Sequence, residues 1–276
     1  MRTIEAPDRT SYRRMTTDEL RKGFVIDDLF VPGELNLCYT NVDRGIVGAA
    51  VPTTKALTLK GGREMACKEF CERREVGVIN LGQTGTVTVD GTKYTLENRE
   101  CLYIARGSKK VAFASARAKS PAAFYLVSYP AHAVYPTVKM QLKDANNRDL
   151  GSPEQSNVRT IHQYIRPGFT ASCQLVMGFT ELKGGSVWNS FPPHTHDRRT
   201  EIYCYFDLPK DGLVFHYLGE PDETRHVTLR EKGIVLSPPW SIHCGVGTGS
   251  YTFVWAMGGE NQEFDDMDAC DLKKFR

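Results

Sequence analysis

Short runs of alternating apolar and polar residues dominate the chain and predict β-strands. The stretches VGVINLG, GTVTVDGTKYTL and CLYIARG are rich in β-branched and aromatic residues, and Gly and Asp separate them. Asp90 and Gly91 stand between two such runs, a pair typical of a tight β-hairpin. Near the N-terminus, Thr16 and Glu19 form a capping-box pattern, and Gly23 can end a short helix. The pattern therefore predicts an all-β protein with one short N-terminal helix.

The two halves of the chain share one pattern. ERREVGVINLG followed by LENRECLYIARGSKKVAFAS in the first half matches DRRTEIYCYFDL followed by LREKGIVLSPPWSIHCGV in the second. A Pro-, Asn-, Asp- and Ser-rich stretch at residues 136–157 predicts a linker between them. We therefore expect two copies of a β-rich module, at about residues 30–135 and 160–260, in domains 1–140 and 141–276. Jelly-roll barrels suit such segments because the wrapped strands hide most sheet edges.

Composition and charge exclude several classes of protein. The 276 residues are 41% hydrophobic and 25% charged with a net charge of +2, which is typical of a globular protein. Lys and Arg are dispersed, so we expect no nucleic-acid partner. The polar N-terminus and the lack of any apolar run near about 20 residues predict a cytoplasmic protein without membrane association. Eight cysteines without CxxC pairs are expected to be reduced thiols.

The stretch FPPHTHDRRTEIYCYF contains the candidate metal ligands. His194 and His196 point to one face of a strand because side chains alternate along it. Glu201 can join them only if the chain bends after His196. His243, after the Pro-rich turn in SPPWSIHCG, can supply a fourth ligand. Three imidazoles and a carboxylate suit zinc, iron, manganese or nickel better than calcium or magnesium.

The first half offers no equivalent ligand set. No HxH pair precedes Glu75, and alignment of the two halves places Lys110 opposite His243. We therefore expect one metal ion per chain, in the second half, and a structural role for the first half.

The ligand spacing resembles the two cupin signatures. These have a histidine pair, a glutamate after four intervening residues, and a more distant histidine. PPWSIH keeps the usual proline five residues before the histidine, whereas Trp240 stands where a glycine is common. The resemblance implies a bicupin, with two jelly-roll barrels in one chain.

Motifs outside the site resemble one family over nearly the whole chain. YTNVDRGIVGAAVP, FCERREVGVINLGQTGTVTVDG, NVRTIHQYI, PDETRHV and SPPWSIHCGVGTGSYTFVWAMGGENQEFDDMD are similar to 5-dehydro-4-deoxy-D-glucuronate isomerases, which act in bacterial pectin and uronate breakdown. The resemblance implies conversion of the small keto-uronate 4-deoxy-L-threo-5-hexosulose uronate to 3-deoxy-D-glycero-2,5-hexodiulosonate. It also implies a homohexamer and one zinc ion per subunit, held by His194, His196, Glu201 and His243.

A ketol isomerisation needs a general base as well as a Lewis acid. The base moves a proton between adjacent carbons through an enediolate, while a bound cation polarises the carbonyl. Glu260 and Asp265, in GGENQEFDD, are the candidate bases, and Glu201 is a further one.

The substrate carboxylate matches the bidentate fork of an arginine. Arg198 and Arg199 adjoin the predicted ligands, and Arg159 is a third candidate. Trp240 and Trp255 could form part of the pocket wall.

Two other classes of function fit the same ligands. An iron-dependent cupin dioxygenase would require oxygen, and a non-catalytic sugar-binding cupin would hold a structural metal. Similarity far beyond the ligands favours the isomerase.

Overall fold

The computed structural model describes all 276 residues, and β-strands are its main regular elements. The strands are β1 (Arg2–Ile4), β2 (Val25–Ile26), β3 (Leu35–Thr40), β4 (Ile46–Ala50), β5 (Leu57–Leu59), β6 (Arg74–Asn80), β7 (Gly85–Val89), β8 (Thr92–Leu96), β9 (Cys101–Ile104), β10 (Val111–Ser115), β11 (Phe124–Pro130), β12 (Val138–Met140), β13 (Asn146–Leu150), β14 (Arg159–Ile165), β15 (Val176–Leu182), β16 (Trp188–Asn189), β17 (His194–Thr195), β18 (Arg199–Phe206), β19 (Val214–Glu220), β20 (Glu223–Leu229), β21 (Ile234–Ser237), β22 (Cys244–Gly247), β23 (Thr252–Gly259) and β24 (Asp268–Ala269).

Helices are few and short. The single α-helix is α1 (Thr17–Phe24), and single 3-10 turns occur at Ser11–Arg14, Val42–Arg44, Arg63–Met65, Phe70–Glu72, Leu142–Asp144, Pro153–Gln155 and Leu272–Lys274. None of these helices has the length and apolar character needed to cross a membrane.

The chain forms two compact units. The first unit contains Met1–Thr3, Asp28–Ala145 and Tyr164–Val176, and the second unit contains Ile4–Asp27, Asn146–Gln163 and Met177–Arg276. Contacts thus assign the helix-bearing N-terminal segment to the second unit and residues 164–176 to the first. The boundary at residues 140 and 141 between two independent domains stays a prediction.

Each unit has the same pair of sheets, so the predicted all-β fold of two jelly-roll barrels is confirmed. The first unit has a seven-stranded sheet, β1-β3-β4-β11-β6-β9-β12, and a four-stranded sheet, β5-β10-β7-β8. The second has β13-β14-β15-β23-β18-β21-β2 and β16-β22-β19-β20, which repeat that order strand for strand except at one edge. A small fifth sheet pairs β17 with β24.

Local signals near the N-terminus and at the hairpin act as predicted, with one difference. Asp90 and Gly91 have φ of 49° and 90° and connect β7 to β8. The Thr16 hydroxyl accepts from the Glu19 N–H, and the Glu19 carboxylate accepts from the Thr16 N–H at 2.7 Å. The helix continues past Gly23, where a Cβ would lie 2.6 Å from the Pro7 ring. Gly23 therefore permits close packing rather than ending the helix.

Residues 136–157, predicted as a linker, include the passage from the first unit to the second between residues 145 and 146, and they also contain regular structure. This stretch contains β12, which pairs with β9, and β13, which pairs with β14. Both strands lie at sheet edges, and four of the five residues of β13 are exposed. Edge strands of this kind need no apolar alternation, so their sequences resemble loops.

Apolar side chains fill the first unit. Val76 and Val78 of β6 pack in a cluster of 17 buried residues contributed by both sheets. Glu75 points to the other face of β6 because side chains alternate along the strand. Its carboxylate accepts hydrogen bonds of 2.7–2.9 Å from the Tyr103 hydroxyl and from three successive backbone N–H groups, those of residues 173–175. Glu75 is therefore a structural carboxylate.

Candidate metal centre

Four side chains of the second unit converge on one point. The Nε2 atom of His243 lies 3.1 Å from Nε2 of His194 and 3.3 Å from Nε2 of His196. The Oε2 atom of Glu201 lies 2.9 Å from Nε2 of both His196 and His243. All four ligand atoms lie within 4.8 Å of one another, and three of the four residues are buried.

The backbone bends between β17 and β18 to bring Glu201 back to the histidines. The N–H of Arg199 donates to the carbonyl of His196 at 3.1 Å, which closes a tight turn just before β18. His243 directly precedes β22 in the opposing sheet. The four ligands thus come from both sheets of one barrel, a placement that residue spacing alone only partly predicts.

Burial sets the charge states in this cluster. Burial, together with the neighbouring His243, lowers the pKa of His194 and of His196 to about 3. Burial alone would raise the pKa of Glu201, but His243 and His196 outweigh it and hold that pKa at about 2. At neutral pH the site therefore contains neutral imidazoles at positions 194 and 196 and an ionised carboxylate.

This donor set fits a divalent metal ion. Two neutral imidazoles can share one N–H···N hydrogen bond, but three Nε2 atoms and a carboxylate oxygen at a single point cannot all be satisfied in that way. A central cation would satisfy all four. Separations of 2.9–3.3 Å between ligand atoms are those that metal–ligand bonds of about 2.0–2.2 Å produce.

A cavity of about 280 Å³ opens onto the cluster. Part of its apolar wall comes from alternate residues of β23, which are Phe253, Trp255 and Met257. Its polar groups, besides the cluster, include Arg148, Arg159, Arg199, Tyr203 and Asp265. An apolar cavity with a few converging polar groups is the usual form of a small-molecule site.

Residues 260–270, which we call the C-terminal strap, cross the cavity mouth. The strap contributes Phe264, Asp265 and Met267 to the cavity wall. Strand β24 pairs with β17, and the N–H of Cys270 donates to the carbonyl of Pro193 at 3.2 Å. The strap is therefore attached directly beside His194.

Arg199 binds the strap from a buried position. This side chain is only 1% exposed, and its Nη atoms donate to the carbonyls of Glu263, Phe264 and Asp266. Its Nε lies 3.2 Å from Nδ1 of His196. One buried guanidinium thus connects the strap to a metal-ligand candidate.

Arg198 forms ion pairs with two carboxylates of the strap. Its Nη2 lies 2.6 Å from Asp266 and 2.7 Å from Asp268. The Arg198 hydrogen bonds lower the pKa of Asp266 to about 2. Both arginines are therefore occupied by the chain itself, whereas the sequence suggested them as substrate contacts.

The remaining predicted site residues fall into two groups. Asp265 and Arg159 line the cavity, as does Trp255. Glu260 is exposed and is not part of the cavity wall, and its N–H donates to the Arg198 carbonyl at 2.8 Å. Trp240 also lies outside the wall and packs against Tyr12, with ring centroids 4.9 Å apart.

Tyr203 and Arg148 are polar residues of the cavity that sequence reasoning missed. Tyr203 follows Glu201 by two positions on β18, so strand alternation could have identified it; its hydroxyl is 2.7 Å from the Ser190 hydroxyl. Arg148 lies on β13 in the stretch taken for a linker, and nothing in the local sequence marks it.

Comparisons with known proteins give consistent results. The profile of the KduI/IolB family matches residues 30–274. A 4-deoxy-L-threo-5-hexosulose-uronate ketol-isomerase of Lachnoclostridium phytofermentans is 53% identical over 276 residues, covering 100% of this chain and 99% of that protein. The protein of the same name from Caldicellulosiruptor bescii is 49% identical over 267 residues, covering 97% of each.

Solved structures with much lower identity share the fold. An IolB-like protein from Salmonella typhimurium superposes with a TM-score of 0.66 at 12% identity, covering 82% of this chain and 87% of that one. A mutant of oxalate decarboxylase from Bacillus subtilis gives a TM-score of 0.55 at 10% identity, covering 81% of this chain and 71% of that one. At these identities the likeness concerns the fold alone.

Proposed function

The chain belongs to the KduI/IolB family, and from that premise we propose that it is a metal-dependent ketol-isomerase. Its substrate is 4-deoxy-L-threo-5-hexosulose uronate and its product is 3-deoxy-D-glycero-2,5-hexodiulosonate, a step in pectin and uronate degradation. The observation that carries the proposal is the cluster of three imidazoles and a carboxylate at the base of a cavity, in a chain 53% identical throughout to a protein of that name.

We propose His194, His196, Glu201 and His243 as the metal ligands, with one zinc ion per chain. Four nitrogen and oxygen donors are a common zinc set, although iron, manganese and nickel accept the same donors. A bound ion would act as a Lewis acid that polarises the substrate carbonyl and stabilises the negative charge of the enediolate.

Asp265 is the proposed general base. Of the two acids suggested by the sequence, it alone lines the cavity. Its carboxylate would remove the proton from the hydroxyl-bearing carbon next to the aldehyde and return it to the former aldehyde carbon. The hydroxyl proton must also move to the aldehyde oxygen to complete the exchange. The side chain is 71% exposed, so it is accessible to a bound substrate.

Arg159 is the proposed partner of the substrate carboxylate. Its Nη1 donates to the Asn157 carbonyl at 2.9 Å, and the side chain lines the cavity. Burial lowers the pKa of Arg159, which indicates a charge that water solvates poorly. A substrate carboxylate in this cavity would compensate that charge. Arg148, 3.8 Å from Asp265 in the same wall, is a second possible contact.

The activity can be tested with the metal-analysed protein under anaerobic conditions. The substrate is supplied in heavy water and the product is followed by NMR. We expect conversion by the wild type and by His226→Ala, which removes an exposed histidine outside the cluster, and none by His243→Ala.

Other outcomes discriminate between the classes of function. No turnover by the metal-loaded wild type would contradict the isomerase, and turnover that appears only with oxygen would indicate a dioxygenase. Binding without turnover would indicate a sugar-binding cupin.

We also propose a homohexamer, on family resemblance alone. Light scattering should give about six times the chain mass of 31.0 kDa. A mass that stays at one chain over the micromolar range would contradict it.

A further inference from the structure

A second cavity, of about 240 Å³, lies within the first unit. Its polar lining consists of Tyr39, Arg44, Glu64, Arg73 and Arg74, together with the thiol of Cys67. Three guanidinium groups thus face one carboxylate. That carboxylate is itself 3.4 Å from the amino group of Met1. The local charge of the cavity is therefore positive.

Arg74 is a buried cation without an anionic partner. It is 6% exposed, and its hydrogen bonds go to neutral oxygens: the Ser128 hydroxyl at 3.0 Å, the Ser128 carbonyl at 2.8 Å and the Arg44 carbonyl at 2.6 Å. No carboxylate lies within ion-pair distance of it. Burial lowers the pKa of Arg74 to about 10, so it remains charged at neutral pH. A buried charge of this kind is costly unless an anion compensates it.

The other two arginines differ in the number of hydrogen bonds that their side chains make within the chain. Arg73 is bonded to Glu72 at 3.0 Å and to the carbonyls of Met65 and Ala66. The side chain of Arg44 has no hydrogen bond or ion pair and is exposed at the cavity. Arg44 and Arg74 are therefore the groups able to receive a ligand.

Arg74, which lines this cavity, corresponds in position to Arg199 beside the metal-ligand cluster of the second unit. Arg74 begins β6 and pairs with Pro130, the last residue of β11. Arg199 begins β18 and pairs with Gly259, the last residue of β23. The two arginines thus occupy the same place in repeated sheets. In the second unit the guanidinium of Arg199 donates to carbonyls of the strap. In the first unit the guanidinium of Arg74 lies beside a cavity.

We propose that this cavity is a second ligand site, which binds a small molecule through a carboxylate or phosphate group held by Arg74 and Arg44. Guanidinium groups match both oxyanions. The volume is close to that of the cavity at the metal-ligand cluster, about 280 Å³, so a ligand of similar size can enter. The site is separate from the isomerase cavity and does not depend on the metal.

Cys67 provides a local reporter for this site. It lines the cavity and is partly exposed, as is Cys270 on the strap, while the other six thiols are buried. The full-length protein is alkylated with iodoacetamide, a neutral reagent, and the rates at both thiols are read by peptide mass spectrometry. Inorganic phosphate and D-glucuronate are tested separately against chloride at equal ionic strength, which removes general screening.

We expect a bound anion to slow alkylation of Cys67 but not of Cys270. The rate should fall about tenfold when the anion is at ten times its Kd, because only the free fraction reacts. Protection by phosphate alone or by glucuronate alone identifies which oxyanion the site accepts. Protection should be lost in Arg44→Gln and retained in Arg117→Gln, which changes an exposed arginine outside the cavity.

Two results would overturn the proposal. One is a Cys67 rate that neither anion changes, and the other is equal protection in Arg44→Gln. Arg44 is exposed, so its substitution should leave folding intact, and isomerase activity provides an independent check that the second unit is native. A protein that failed as an isomerase could still show the protection, so the two proposals fail separately.

Discussion

Strands β6 and β18 occupy corresponding places in the sheets of the two units but present different side chains to the interior. On β6, Val76 and Val78 follow the first arginine at alternate positions and enter an apolar cluster. On β18, Glu201 and Tyr203 follow the first arginine in the same way and face a cavity. The same sheet topology therefore surrounds a packed core in the first unit and a cavity in the second. The two strands differ at the two inward positions that follow the arginine.

The comparison shows that a buried carboxylate needs its partners. Glu201 faces three imidazoles, whereas a glutamate at position 76 would face only apolar groups. Burial of a charge without a partner is strongly unfavourable. A glutamate on this strand is therefore tolerated only when the histidines are also present. The second difference between the two units is the strap, which contributes Phe264, Asp265 and Met267 to the cavity wall in the second unit.

Glu201→Val, which gives β18 the residue of β6, should have the largest effect. We expect loss of the bound metal and a fall in activity of at least about 100-fold, because Lewis-acid stabilisation is worth several kcal/mol. Metal analysis and turnover measure both. A variant that keeps its metal and activity would remove Glu201 from the ligand set.

Val76→Glu makes the reverse exchange in the first unit. We expect the free energy of unfolding to fall by about 3–5 kcal/mol, because the carboxylate gains no partner. Denaturant titration measures this fall, and Lys93→Glu, at an exposed position on β8, should change it by less than about 0.5 kcal/mol. Equal stability of the two variants would show that the interior of the first unit tolerates charge.

Asp265→Asn tests what the strap contributes to the chemistry of the second unit. We expect kcat to fall by about 10²–10⁴-fold with the metal retained, because general-base catalysis is lost. Glu260→Gln, on the same strap but outside the cavity wall, should keep near wild-type kcat. A larger loss in Glu260→Gln than in Asp265→Asn would reverse the assignment.

Arg199→Lys tests how the strap is held. Lysine cannot reproduce the planar fork, and each hydrogen bond from a charged group contributes about 1.5–3 kcal/mol. Amide hydrogen exchange in residues 263–270 should therefore become at least about tenfold faster, with little change for Arg117→Lys. Unchanged exchange would mean that β24 and Arg198 alone hold the strap.

The sequence predicts local features well and long-range ones poorly. The capping box at Thr16 and the hairpin at Asp90 depend on neighbouring residues, and both occur as expected. The structure also brings together the four residues singled out by the spacing of His194, His196, Glu201 and His243. The spacing of His194, His196 and Glu201 reflects strand alternation and one required bend, which are local properties, whereas His243 is identified by the Pro-rich turn before it.

Other features depend on where distant segments return. The strap partners of Arg198 and Arg199 lie more than 60 residues away along the chain, so the local sequence gives no sign of these contacts. Arg148 enters the cavity from an edge strand without apolar alternation. Neither position carries a local signal.

Metal content measured together with activity is a direct test of a metal-centred isomerase in the second unit. The wild type and His243→Ala are stripped with a chelator, reloaded with zinc, and assayed for bound metal and for anaerobic turnover. The account predicts about one zinc ion per wild-type chain, restored activity on reloading, and neither in His243→Ala. Full turnover by the metal-free wild type, or a fully loaded His243→Ala, would contradict a metal-centred isomerase in the second unit.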